Sequence, residues 1–126
     1  EMITDLNELL ERSDFVTLHT PETPQTIGLI GAEQFKKMKK AAFVINAARG
    51  SAIKQNELVE ALKAGEIAGA GVDVYEEEPV SPDNPLLHMD NVIATPHCAW
   101  YSETAITTAE EGGGGSGERA AGERAV

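Results

Sequence analysis

Along the chain, short apolar runs alternate with stretches in which apolar positions recur every three or four residues. Leu6, Leu9 and Leu10 share one helical face, and Thr4 stands where an N-cap belongs, predicting a helix that ends near Arg12. Phe15-Val16-Thr17-Leu18 reads as a short buried strand, closed off by Pro21 and Pro24. A helix over about Ala32–Met38 precedes a strand over Ala42–Asn46. Leu58, Val59 and Leu62 then turn one face of a helix over about Gln55–Ala64 inward, and Gly65 ends it. The glycine- and alanine-rich run Ala68–Val74 predicts a strand on which helices can pack closely. Val92–Thr95 predicts a further strand before Pro96, and a last helix is expected over about Ser102–Glu110.

Strands separated by helices of this length imply parallel crossover units and a layered α/β sheet. The strands are apolar without interruption, which suits a sheet covered on both faces. Ligands on such sheets bind beyond the carboxyl ends of the strands, so the residues just after each strand are the ones to inspect.

Composition narrows the picture. The 126 residues suffice for one modest domain and not for two cores. The texture changes near residue 111: Gly112-Gly-Gly-Gly-Ser-Gly117 is a linker composition, and a near-repeat of Gly-Glu-Arg-Ala follows it. The expected organisation is therefore a domain over 1–111 and a linker and tail over 112–126, engineered or at a junction. No apolar run is long enough to span a bilayer, and the acidic N-terminus does not read as a secretory leader. Cys98 is the single cysteine, which excludes an internal disulfide framework and fits a reducing, cytoplasmic setting. A formal net charge of −11 repels phosphate backbones and argues against a nucleic-acid partner. The one basic cluster, Lys36, Lys37, Lys39 and Lys40, reads as a solvated helix end.

Every predicted strand delivers polar or ionisable residues to the same edge. His19-Thr20-Pro21 follows the first, Asn46-Ala47-Ala48-Arg49-Gly50 the second, Asp73 and Tyr75-Glu76-Glu77-Glu78-Pro79 the third, and Thr95-Pro96-His97 the fourth. An arginine, a carboxylate and a histidine form a coherent set for reducing a keto acid. Arg49 can hold a carboxylate through two parallel hydrogen bonds and polarise a keto oxygen. His97 can give a proton to the oxygen as hydride reaches carbon, and take it back in reverse. A neighbouring glutamate favours the imidazolium form, and Asp73 can anchor a nicotinamide amide. Each residue also has an ordinary reading: Arg49 as a surface arginine, any of the three glutamates as loop solvation, and His97 as a partner for a buried carbonyl. His19 and His88 keep the ordinary reading, and Cys98 lacks the second base that thiol catalysis needs. Agreement among four strand ends, not any single residue, favours the functional reading.

These residues stand in three segments, "INAARG", "GVDVYEEEP" and "TPH", which in that order resemble the NAD-binding domain of the D-isomer-specific 2-hydroxyacid dehydrogenases. The resemblance runs over roughly residues 3–110. It implies half of a Rossmann-type doubly wound parallel sheet, of about four strands with flanking helices. It implies catalytic roles for Arg49, Glu78 and His97, which selects Glu78 among three adjacent glutamates. It also implies that Asp73 contacts the nicotinamide carboxamide, with Thr20, Pro21, Ala47, Ala48, Arg49 and His97 along the cofactor groove. The cofactor implied is NAD, with NADP as an alternative, and the partner is a small 2-keto or 2-hydroxy acid. Within the family, "TPHCAWYSE" looks like the branch that includes the C-terminal-binding-protein corepressors and their bacterial enzyme relatives, with Trp100 near the substrate pocket.

The family's glycine-rich phosphate loop is not found: no G-x-G-x-x-G follows a strand and opens a helix. The expectation is a parent dehydrogenase of which this chain is an incomplete, inactive part. A non-catalytic scaffold, or a different α/β enzyme using Cys98, are the rival readings. The uncovered edge of the Phe15–Leu18 strand is expected to drive self-association.

Overall fold

The structure, a computed structural model, describes residues 1–99 and residue 102. Trp100, the helix expected after Ser102 and the 112–126 tail lie outside the described residues. The chain divides into two units, Glu1–Pro96 and His97–Val126. The first contains every described helix and strand, in the order α1 (Leu6–Arg12), β1 (Phe15–Leu18), α2 (Ala32–Lys37), β2 (Phe43–Asn46), α3 (Gln55–Ala64), β3 (Gly69–Val72) and β4 (Val92–Ala94). Short 3-10 turns at Gly50–Ala52 and Pro85–His88 complete it.

The strands form one sheet in the order β1-β2-β3-β4, with every neighbouring pair parallel. Sequential order with parallel pairing sends each connection back across the sheet, so all carboxyl ends emerge along one edge. The helices form where local signals place them. Asp5, not Thr4, caps α1, because its carboxylate accepts the Glu8 N–H at 2.9 Å. α2 is too short to stand alone and is capped from two sides. Gln34 reaches back to the Gly31 N–H, and the Glu57 carboxylate of α3 accepts the Ala32 N–H. α3 ends as predicted at Gly65, whose φ of 70° is the left-handed conformation that glycine adopts without a Cβ penalty.

The core joins one face of the sheet, Val16, Leu18, Val44, Ala70 and Val72, to the helices through Leu10, Phe35, Leu58 and Leu62 in a single buried cluster. Phe35 and Leu10 have no exposed surface. The expectation of a sheet covered on both faces does not hold for the described residues. Phe15 and Ile93 are 68% and 75% exposed, and Phe43 and Ile45 are also exposed. The parallel register brings Phe15 beside Phe43 and aligns Thr17, Ile45, Gly71 and Ile93 across the same face. The Phe15 and Phe43 rings stack with centroids 5.6 Å apart. An apolar run cannot reveal which of its faces is covered, since that depends on segments elsewhere in the fold.

The basic cluster is a solvated surface, as expected. Lys36, Lys37 and Lys39 pair with Glu33, Glu11 and Asp14 on exposed ground, where each pair contributes less than about 1 kcal/mol. His88 accepts the ordinary reading too, with Nε2 at 2.7 Å from the Pro82 carbonyl. No helix among the described residues is long and apolar enough to cross a membrane.

Candidate functional site

The four strand ends meet along the carboxyl edge of the first unit. After β1, His19 is exposed and shares a 3.0 Å hydrogen bond with the Thr17 hydroxyl. Thr20 follows, and its Oγ1 is buried with no hydrogen-bond partner. Pro21 is exposed, and its carbonyl accepts the Thr26 hydroxyl at 2.6 Å.

After β2 the chain makes a tight turn organised by Asn46, which is only 2% exposed. Its Oδ1 accepts the Ala48 N–H at 3.1 Å, and its Nδ2 donates to the Arg49 carbonyl at 2.9 Å. An asparagine can close both halves of such a turn because its amide carries an acceptor and a donor. Ala47 and Arg49 are thereby left exposed, with Ala48 half-buried. The Arg49 guanidinium donates to the Ala48 carbonyl at 2.7 Å. Gly50 comes next because nothing larger fits: a Cβ there would lie 1.8 Å from the Tyr75 carbonyl oxygen.

After β3, Asp73 is buried; its N–H bonds the Asn46 carbonyl at 2.9 Å and its carboxylate accepts the Thr95 hydroxyl. Tyr75 is buried as well, donating its hydroxyl to the Thr95 carbonyl at 2.8 Å. Its N–H donates to the Glu78 carboxylate at 3.1 Å. Glu76 has a different duty: its carboxylate accepts the Gln55 N–H at the N-terminus of α3, at 2.9 Å, where a negative charge satisfies an open donor and the helix dipole. Two of the three adjacent glutamates are thus distinguished by their partners. Glu78 is exposed, and the Glu78–Pro79 peptide is cis.

After β4, the Thr95 N–H continues the ladder to the Val72 carbonyl at 2.9 Å, and Pro96 closes the first unit. His97 opens the second unit. It is exposed and has a φ of 53°, a left-handed backbone uncommon outside glycine. Cys98 is exposed and in no disulfide, and no group of His, Cys, Asp or Glu among the described residues is arranged to hold a metal ion.

The first unit thus brings Thr20, Pro21, Ala47, Ala48, Arg49, Asp73 and Glu78 to one edge, as the strand-end rule anticipated. Residue-by-residue reading assigned no role to Asn46, Gly50, Tyr75 or Thr95, which hold that edge together. An asparagine ending an apolar strand, three residues before an arginine, is the signal that stood in the sequence for the first of them.

The arrangement defines a parallel α/β domain with its polar groups gathered at the strand ends. The chain belongs to the D-isomer specific 2-hydroxyacid dehydrogenase family, matching its NAD binding domain over residues 1–99. It is 56% identical over 97 residues to a D-3-phosphoglycerate dehydrogenase of Archaeoglobus fulgidus, across 77% of this chain and 18% of that protein. It is 51% identical over 106 residues to a glyoxylate reductase of Korarchaeum cryptofilum, across 83% of this chain and 32% of that one. Among solved structures, it resembles the NAD-complexed D-isomer specific 2-hydroxyacid dehydrogenase of Lactobacillus delbrueckii ssp. bulgaricus, with a TM-score of 0.76 and 41% identity. That match covers 83% of this chain and 37% of the other. It is similar also to an NADPH-dependent glyoxylate/hydroxypyruvate reductase of Sinorhizobium meliloti, with a TM-score of 0.74 and 36% identity over 79% of this chain and 52% of the other. The chain therefore spans only 18% and 32% of the length of the two sequence relatives.

Proposed function

We propose that this chain supplies the reacting side chains of an oxidoreductase that moves hydride between a nicotinamide cofactor and a small D-2-hydroxy acid or 2-keto acid. The observation that carries the reading is the shared edge. Arg49, Asp73 and Glu78 leave neighbouring parallel strands at the place where such sheets bind ligands, in a chain of a dehydrogenase family.

The edge fits a nicotinamide group. Ala47 and Ala48 are small, Pro21 adds a rigid apolar rim, and the buried Thr20 hydroxyl is an orphan polar atom of the kind a ligand satisfies. Asp73 would hold the carboxamide, oriented in turn by Thr95. When bound, the cofactor supplies or accepts the hydride. NAD is the cofactor assigned, and likeness to an NADPH-dependent reductase keeps NADP as the alternative.

Arg49 would grip the substrate carboxylate and draw charge onto the keto oxygen as it becomes an alkoxide. Its guanidinium now rests on the neighbouring Ala48 carbonyl, a contact that a carboxylate would outcompete. His97 would protonate the alkoxide oxygen, and remove that proton when a hydroxy acid is oxidised. Glu78, whose carboxylate accepts the Tyr75 N–H, is the third side chain assigned to the reaction. The setting we assign is the cytoplasm, which suits a chain whose single cysteine can form no internal disulfide. A second copy is the assigned macromolecular partner, pairing along β1, which among the described residues has β2 on one side only. A monodisperse monomer in light scattering sinks that assignment.

The test of the main reading is NADH binding and oxidation by this chain, with glyoxylate, hydroxypyruvate and pyruvate offered in turn. Turnover with a 2-keto acid, abolished by Arg49→Ala, supports the assignment. Turnover that survives Arg49→Ala removes Arg49 from the mechanism. Absence of NADH binding denies the isolated chain a catalytic role.

A further inference from the structure

Asn46 spends all of its polar atoms but one on residues of the candidate site. Its Oδ1 accepts from the Ala48 N–H, its Nδ2 donates to the Arg49 carbonyl, and its own carbonyl accepts from the Asp73 N–H. It is almost completely buried, beneath a turn on which Ala47 and Arg49 are exposed. A surface turn needs no such anchor, and a buried amide costs free energy unless its atoms are paired. Here both groups are paired, and both bonds run to the short segment that aims the arginine.

We propose that Asn46 is the positioning residue for Arg49. It fixes the backbone of residues 47–49 from inside the sheet, so that the guanidinium projects from one defined direction. The amide is matched to this task in a way that its neighbours in chemistry are not. Aspartate offers an acceptor to Ala48 but turns a second acceptor toward the Arg49 carbonyl, and leucine of similar size offers neither. The close approach of Gly50 to the Tyr75 carbonyl locks the far side of the same turn. The arginine is therefore held between an anchor before it and a backbone contact after it.

The functional half of this inference rests on the substrate-binding role proposed for Arg49, and two separate measurements keep the two apart. The first is hydrogen exchange at the Ala48 amide by NMR. Asn46→Ala should accelerate it roughly tenfold or more, the scale of losing one net hydrogen bond. Asn46→Asp, which keeps the acceptor, should restore that protection and also serves if the alanine variant does not fold. The second is titration with oxamate, followed at the Arg49 Nε–H signal. Oxamate affinity should fall roughly tenfold in both variants, since neither supplies the donor to the Arg49 carbonyl. Val44 and Val72 amide signals should stay in place, which a general loosening of the sheet would not permit.

Unchanged Ala48 exchange in Asn46→Ala overturns the proposal, and so does wild-type oxamate affinity in that variant. Failure of the wild-type chain to bind oxamate, with Ala48 still protected through Asn46, has a different meaning. It supports the anchored turn and refutes the carboxylate-binding role of Arg49.

Discussion

Replacing Gly50 by alanine adds one methyl group at the point where two strand-end loops touch. The new Cβ would stand 1.8 Å from the Tyr75 carbonyl oxygen, 2.1 Å from its carbon and 2.8 Å from the Glu76 nitrogen. The first of these is more than 1 Å inside the 3.0 Å below which such contacts are essentially never found. All three atoms are backbone, so no side-chain rotation relieves the clash, and the loops must separate. Their separation strains what each loop anchors: the Asn46 bonds to residues 48 and 49 on one side, and the Tyr75 bonds to Thr95 and Glu78 on the other. Overpacking against rigid surroundings costs about 1–3 kcal/mol, and the upper end applies where only backbone can move. For a domain of this size that lowers the melting temperature by roughly 10–20 °C. Thermal unfolding followed by circular dichroism reads it directly, with Gly71→Ala as the comparison. A Cβ at Gly71 would meet only Ile45 carbons, at 3.8 and 3.9 Å, an ordinary contact. That variant should melt within about 3 °C of wild type, corresponding to the ±0.5 kcal/mol of a tolerated surface change. If Gly50→Ala melts together with Gly71→Ala, the interlocked loops are not what holds the edge, and the reasoning fails.

Other expectations follow from the same contacts. Tyr75→Phe keeps the buried ring but withdraws the donor from the Thr95 carbonyl; it should cost about 1–2 kcal/mol, measured by urea unfolding with an unchanged m-value. Phe35→Ala empties a site with no exposed surface where α2 meets the core. A loss of roughly 3–5 kcal/mol is expected, and a variant retaining wild-type denaturant midpoint would contradict the packing described. Asp5→Ala removes the cap of α1 and should cost about 1 kcal/mol, with faster amide exchange at Glu8 as the local signature and no change at β3.

How much was legible beforehand differs from element to element. α3 was readable to the residue, because three signals coincide: Leu58, Val59 and Leu62 on one face, a continuous run of helix formers, and Gly65 in the left-handed conformation that stops it. β1 was readable to the residue, β2 and β4 came out one residue too long and β3 three, since Ala42 and Thr95 bond the ladder's margins without lying inside it. The N-cap of α1 moved by one residue because Thr4 and Asp5 are both competent, and only the backbone path decides which side chain faces the open N–H. The choice between Glu76 and Glu78 was not available from the residues, which are identical in type and two apart. The folded chain gives them different partners, the N-terminus of α3 for Glu76 and the Tyr75 N–H for Glu78.

The amino-acid sequence by itself determined that the chain is a parallel α/β layer with polar and ionisable residues after the strands. That information is local: hydrophobic period, turn residues and strand spacing all act over a few positions, and a parallel sheet then leaves its carboxyl ends no choice of edge. Only the tertiary structure decided which buried groups hold that edge in shape. The anchor of Arg49 is a side chain three residues earlier, its lock is a carbonyl twenty-six residues later, and the Asp73 carboxylate is met by a hydroxyl from β4's end. Such partners are distant in sequence or unremarkable in type, and they acquire meaning when packing removes water and leaves each polar atom to find its bond inside the protein.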